Sequence, residues 1–257
     1  MKEFIAVARD AALKAGRMLR EDIHGLREII YKGDIDLVTE MDIRSERTIV
    51  EMLRVAFPDH GVVAEEETKL SNASGYTWTI DPLDGTTNYA HGYPCFAVSI
   101  ALKHEDDVIL GVVYDPMRDE LFTAQKGLGA YLNGDQIKVS KVGTLIKSLL
   151  ATGFPYDRKV SDKNNLNYFY GLLMASQEVR RDGSAALDLC YVAAGRLDGF
   201  WELKLKPWDV AAGSLVVKEA GGVVSDLSGN RFDMHAEEIL ASNGRIHRQM
   251  IEVLQKS

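Results

Sequence analysis

The sequence predicts a mixed α/β fold, and three patterns carry that prediction. Apolar residues recur at helical spacing through two early segments, residues 2–24 and 39–57. Between residues 95 and 137, alternating β-type runs are separated by tight-turn signals, as in an antiparallel meander. From residue 149 onward, short strand-like runs take turns with helical ones. A chain of 257 residues is long enough to bury a sizeable core, as one large domain or as two tightly joined halves. No repeat, low-complexity tract or flexible linker interrupts it. We therefore expect a single unit over 1–257, with an N-terminal α+β half to about residue 145 and a C-terminal α/β half over about 146–257.

The first helix places Phe4, Ile5, Ala8, Ala12, Ala15, Met18 and Leu19 on one face, with Arg and Lys between them. Residues 31–36 read as a polar turn containing Lys32. A second helix begins at Thr39, gathers Ile43, Ile49, Val50 and Leu53 on one face, and stops at Phe57-Pro58. Thr39 and Asp42 stand at its start, where N-capping and the helix dipole give both a structural use. Residues 61–67, GVVAEEE, form a short strand running into three glutamates, and a buried strand over 78–80 ends at Asp81 and Asp84. Three meander strands follow, and Asn133-Gly134 marks a further hairpin.

The second half opens with a strand at 149–152 and helical spacing over 164–176. A basic turn at Arg180-Arg181 then leads through Gly183-Ser184 into an alanine-rich helix with Gly195 as its C-cap. After a strand through Phe200 and Trp201, Pro207 opens a helix that ends at Gly221-Gly222 and carries Asp209 in its first turn. Two strands and a helix over 245–254 close the chain.

Composition narrows the function. Apolar residues make up 46% of the chain and charged residues 26%, as in ordinary soluble proteins, and the formal net charge of −8 argues against direct nucleic-acid binding as the main role. Cys95 and Cys190 are far apart and lack metal-type spacing, so neither a disulfide framework nor a zinc site is indicated. The N-terminus has charges every few residues rather than the apolar core of a signal peptide, and no run is long enough to cross a bilayer. A cytoplasmic location and no membrane partner are expected.

The chemistry concentrates at residues 77–88, TWTIDPLDGTTN. A strand that ends in two carboxylates around a proline, followed at once by Gly85, Thr86 and Thr87, can hold a divalent cation and a phosphate together. Oxygen-only ligands suit hard ions such as Mg²⁺, and backbone N–H groups opening a helix or nest seat phosphate. An acidic turn capped by Asp and Gly is the structural alternative. If the strand carrying Ala64 lies beside that carrying Ile80, one of Glu65 or Glu66 meets Asp81 and Asp84; otherwise the glutamates belong to a solvated loop. His91 and His104 stand in turns with no nucleophile or second histidine nearby, so neither is assigned a role.

Two separated segments, WTIDPLDGTTNYAHGYPCFAVSIA and WDVAAGSLVVKEAGG, together with EEE at the right interval, resemble the signatures of the inositol monophosphatase family of Mg²⁺-dependent, lithium-sensitive phosphatases. The stretches between them, including RRDGSAALDLCYVAAGRLDGFWE, resemble its bacterial branch most, and the likeness spans the whole chain. The resemblance implies a five-layered αβαβα sandwich, commonly a homodimer. It implies two or three Mg²⁺ ions held by Glu65, Asp81, the carbonyl of Leu83, Asp84 and Asp209. Gly85 and Thr86 match the phosphate-binding backbone. Glu65 and Thr86, with Asp42 behind the latter, match the residues that activate the attacking water. Ser184, Ala185, Glu202 and Asp209 match contacts to the alcohol part of the substrate. Lys32 matches less firmly, because its placement depends on where a gap is drawn.

The expected reaction is direct hydrolysis of myo-inositol 1-phosphate and related polyol phosphates, with fructose 1,6-bisphosphate and 3′(2′),5′-bisphosphate nucleotides as rival substrates in the same superfamily. A haloacid-dehalogenase phosphatase places its two aspartates two apart; here Asp81 and Asp84 are three apart. From a different class comes a regulatory protein associated with transcription complexes, for which Arg180-Arg181 is a candidate contact.

Overall fold

A computed structural model describes residues 2–25, 29–31, 37–71 and 74–257. Lys32 and most of the polar turn predicted around it lie outside these residues. The amphipathic opening segment forms α1 (Lys2–Asp22), and a short antiparallel pair, β1 (Ile29–Tyr31) and β2 (Leu37–Thr39), leads into α2 (Glu40–Ala56). There follow β3 (Gly61–Ala64), β4 (Lys69–Leu70), β5 (Tyr76–Asp84) and the short α3 (Thr86–Ala90). The meander comprises β6 (Ala97–His104), β7 (Asp107–Asp115), β8 (Glu120–Gln125), β9 (Gly129–Leu132) and β10 (Asp135–Gln136).

The rest of the chain alternates strand and helix: β11 (Leu149–Thr152), α4 (Leu166–Ala175), β12 (Glu178–Arg180), α5 (Ala185–Ala193), β13 (Gly199–Leu203), α6 (Pro207–Glu219), β14 (Val223–Ser225), β15 (Glu238–Ser242) and α7 (His247–Leu254).

These elements stack in five layers. An eight-stranded sheet, ordered β10-β9-β8-β7-β6-β5-β3-β4, has β3 and β5 as its parallel pair. A five-stranded sheet, ordered β12-β11-β13-β15-β14, is parallel from β12 to β13 and antiparallel beyond. The paired helices α1 and α2 cover the outer face of the large sheet, burying Leu19, Ile49, Leu53, Trp78, Ile80 and Tyr114. Helices α4 and α7 cover the small sheet over Leu172, Trp201, Leu240 and Met250. Between the sheets lie α5 and α6, packed against both. This is the αβαβα sandwich the resemblance implied.

The central layer explains its own sequence. A helix covered on both sides must be apolar all round, and every residue of α5 is buried, as are residues Val210 to Val217 of α6. Small side chains let these helices come close. A Cβ on Gly111 of β7 would sit 2.8 Å from the Ala212 carbonyl oxygen of α6, and one on Gly213 would sit 2.7 Å from the Leu189 side chain of α5.

Two expectations are corrected. Arg180, expected in a basic turn with Arg181, instead ends an edge strand in which residues 178–180 pair in parallel with Leu149 to Ala151, too short and too exposed to leave an apolar pattern. The alanine-rich helix is capped by Ala194, and Gly195, at φ +70°, follows as the left-handed residue.

Gly111→Val forces α6 away from the large sheet. We predict a loss of about 1–3 kcal/mol in urea unfolding, the range for overpacking a tight interface, whereas an unchanged midpoint would show that the approach of α6 to β7 is loose.

Candidate functional site

β5 ends in an irregularity that sets the site. Asp81 pairs with Ser99 of β6 and Asp84 with Ala97, so three steps on one strand match two on the other. In a regular strand, side chains three apart point to opposite faces. The extra residue reverses that parity and brings both carboxylates to one side. Pro82, which has no N–H for a ladder, occupies the bulge; its carbonyl accepts from Ser45 Oγ at 2.7 Å, and Asp81 Oδ1 accepts from Leu83 N at 3.0 Å.

Neighbouring elements bring further acids to the same place. Ala64 of β3 lies opposite Ile80 of β5, so Glu65 leaves its strand beside Asp81. From the small-sheet side, Asp209 stands in the first turn of α6, where Oδ2 accepts from Lys206 N at 2.7 Å, and its carboxyl is within hydrogen-bonding reach of Asp81. Asp84 Oδ2 accepts from Ser184 Oγ at 2.5 Å and Ala186 N at 2.8 Å, which ties the large sheet to the N-terminus of α5.

Glu65, Asp81, Leu83, Asp84, Gly85, Thr86, Ser184, Ala185, Glu202 and Asp209 line one cavity of about 340 Å³. Asp42 does not line it; fully buried behind Thr86, it caps α2. Asp42 Oδ2 accepts from Thr39 N at 2.8 Å and Thr39 Oγ1 at 2.6 Å, while Oδ1 lies 2.9 Å from Thr86 Oγ1. One Asp42 oxygen thus serves the cap and the other bonds to Thr86. Thr86 Oγ1 also lies 3.0 Å from the Leu83 carbonyl. With its proton directed at these acceptors, the hydroxyl keeps a lone pair for a donor in the cavity.

The carboxyl groups crowd each other along one wall of the cavity. Burial, then Glu65, Asp84 and Asp209, raise Asp81 well above the usual carboxylate range. Asp209 is pushed up to about 7 by burial and by Asp84, and Asp84 to about 6 by burial, against its bonds to Ser184 and α5. Glu202 rises to about 8 through burial and Asp209. Its carboxyl packs where Gly153 has no side chain; a Cβ there would lie 2.1 Å from Oε1.

Among the described residues, no three His, Cys, Asp or Glu side chains close into a ready-made cage. The acids form an open wall instead. Such an all-oxygen donor set, rich in carboxyl groups, fits a hard divalent cation that keeps several waters and takes further oxygens from its substrate.

Three contributors carried no site signal in sequence. Glu46 of α2, 2% exposed, accepts from Glu66 N, Glu67 N and Thr68 N at 2.8, 3.0 and 2.8 Å and so fixes the loop that presents Glu65. Asn88 Nδ2 donates to the Cys95 and Asp182 carbonyls at 2.7 Å each, joining the two sides of the cavity. Arg181, read from sequence as part of a basic turn and a candidate transcription-complex contact, lines the cavity and draws Glu202 downward. Neither His91 nor His104 lines the cavity.

A sequence model described as "Inositol monophosphatase family" matches residues 1–257. The chain is 46% identical to an inositol-1-monophosphatase of Synechocystis sp. over 99% of its own length and 89% of that protein. It is 43% identical to a Nus factor SuhB of Escherichia coli (strain K12), covering 98% and 95% of the two chains. Among solved structures, an inositol monophosphatase from Anabaena (Nostoc) sp. superposes with a TM-score of 0.91 at 45% identity, covering 99% of this chain and 96% of that one.

Glu46→Ala strands three loop N–H groups. Urea unfolding should show a loss of about 3 kcal/mol, with faster amide exchange confined at first to residues 66–68. Glu46→Gln, which keeps one acceptor oxygen, should lose less. Equal losses in the two variants would contradict the role given to the clamp.

Proposed function

The chain belongs to the inositol monophosphatase family of phosphatases, and from that premise we propose that it is a Mg²⁺-dependent phosphomonoesterase converting myo-inositol 1-phosphate and related polyol phosphates to inositol and inorganic phosphate. The observation that carries this reading is the shared cavity wall: Glu65, Asp81, Asp84 and Asp209 reach it from three separate elements, and Leu83 lines the same wall. Held by these five groups, Mg²⁺ would supply Lewis acidity to the phosphate, a more acidic attacking water, and neutralisation of the leaving oxygen.

The remaining steps fall to the chain itself. Asp42 fixes the Thr86 hydroxyl so that its lone pair accepts from the attacking water, and Glu65 holds that water from the other side. The backbone at Gly85 and Thr86 seats the phosphate at the start of α3. Ser184, Ala185, Glu202 and Asp209 face the alcohol portion. The fixed dipoles and charges need little rearrangement as charge moves onto oxygen in the transition state, which is the main source of rate. No phosphorylated aspartate is required, because an activated water supplies the nucleophile.

A second reading rests on relatives named Nus factor SuhB at 43% and 44% identity. We propose association with a transcription complex as an addition to hydrolysis, and a homodimer as the working assembly.

The test is phosphate release from inositol 1-phosphate, with fructose 1,6-bisphosphate and 3′-phosphoadenosine 5′-phosphate alongside. Activity should vanish in chelator, return with Mg²⁺, and fall by about 10²-fold or more in Asp81→Asn and Asp209→Asn while both variants stay folded. A strong kcat/KM preference for either rival ester defeats the substrate assignment, and full activity in chelator defeats the metal.

A further inference from the structure

Asp188 belongs to α5, is 1% exposed, and lines the cavity without belonging to the set assigned above. Its Oδ1 has no hydrogen-bond partner among the described residues. Arg181 acts on it as a neighbouring charge, outweighed by Asp182, Glu202 and Asp84. Buried polar atoms are nearly always paired, so an unpaired one on a side chain that lines a cavity calls for a partner that the described residues do not supply.

Helix capping does not account for it. The N-cap of α5 is Ser184, whose hydroxyl lies 3.4 Å from Leu187 N. Its neighbours Leu187, Leu189 and Cys190 are buried apolar residues, so the helix by itself would accept an apolar side chain at this position. A carboxyl kept there weakens the fold unless something in the cavity bonds to it.

We propose that Asp188 is a specificity residue, and that its Oδ1 pairs with a hydroxyl on the leaving group of a polyol phosphate, on the same wall as Ala185 and Glu202. The inference rests on the phosphomonoesterase reading above. Burial holds the Asp188 carboxyl well above its ordinary range. A neutral carboxyl both donates and accepts, and so does an alcohol, so the two satisfy each other without stranding a charge. A leaving group without hydroxyls leaves Oδ1 as it is, and a site built for a hydroxyl discriminates against such an analogue.

The experiment measures kcat/KM on myo-inositol 1-phosphate and on phenyl phosphate, whose leaving group has no second hydroxyl, for the unaltered protein, Asp188→Asn and Asp188→Leu. The Leu variant should lose about 10- to 100-fold on the inositol ester, mostly through KM, with phenyl phosphate almost unchanged. The isosteric Asn variant should keep most of the preference, and the Leu variant's Tm should be equal or higher, since an unpaired polar atom is gone. A loss shared equally by both esters, as a structural role or a trapped water would give, overturns the proposal, as does no loss on either. If the unaltered protein hydrolyses neither ester, the phosphomonoesterase reading falls and takes this one with it. Turnover of both esters with equal losses sinks this one alone.

Discussion

Carboxyl groups that share a confined cavity repel one another, and here the repulsion is written into the fold. Asp81, Asp84, Asp209 and Glu202 are each held above the usual carboxylate range, by burial first and by one another in all but Asp84, where hydrogen bonds pull the other way. A chain selected for stability alone would place apolar residues there. Acids kept at such a cost are the mark of a site whose charge is completed by something bound.

Each acid is fixed by a different structural device. Asp81 and Asp84 share a side because β5 carries one extra residue. Asp209 is held by the backbone at the start of α6, and α6 approaches β7 closely because residue 111 has no side chain. Glu65 depends on the three-fold grip of Glu46 on the loop that follows it. The site therefore sits on regular elements of both sheets and on the helices between them, where packing limits drift to fractions of an ångström.

Much of this was legible in the chain. The helical faces of α1 and α2, the meander and the helix opened by Pro207 all follow from periodicity and punctuation that the structure honours, whereas the pairing of β3 with β5 was open in the sequence and is settled by the structure. Converging acids were legible as residue types, and the resemblance assembled them into a set. Other features left no local trace. Glu46 reads as one more charge on an amphipathic helix, because its partners are backbone groups some twenty residues away. Arg181 reads as part of a basic turn, because its closeness to Glu202 depends on how β12 and β13 line up across the small sheet. Strands of two or three residues, such as β4 and β12, gain their pairing from neighbours rather than from pattern. Asp188 looks like an ordinary polar residue in a helix until α5 is seen to be buried on all sides.

If burial, with repulsion between neighbouring acids behind it, holds protons on the cation-binding carboxyls Asp81 and Asp209, then a cation that binds their ionised form must displace protons. The sign follows from the direction of the shifts: between the usual carboxylate range and the raised values, binding releases protons, and affinity climbs with pH until the groups are already ionised. Calorimetric titration of Mg²⁺ into the protein near pH 6, in buffers of different ionisation enthalpy, counts the protons released. The account predicts about one or more per protein, dwindling toward pH 9; cation binding with no proton release at pH 6 would contradict it.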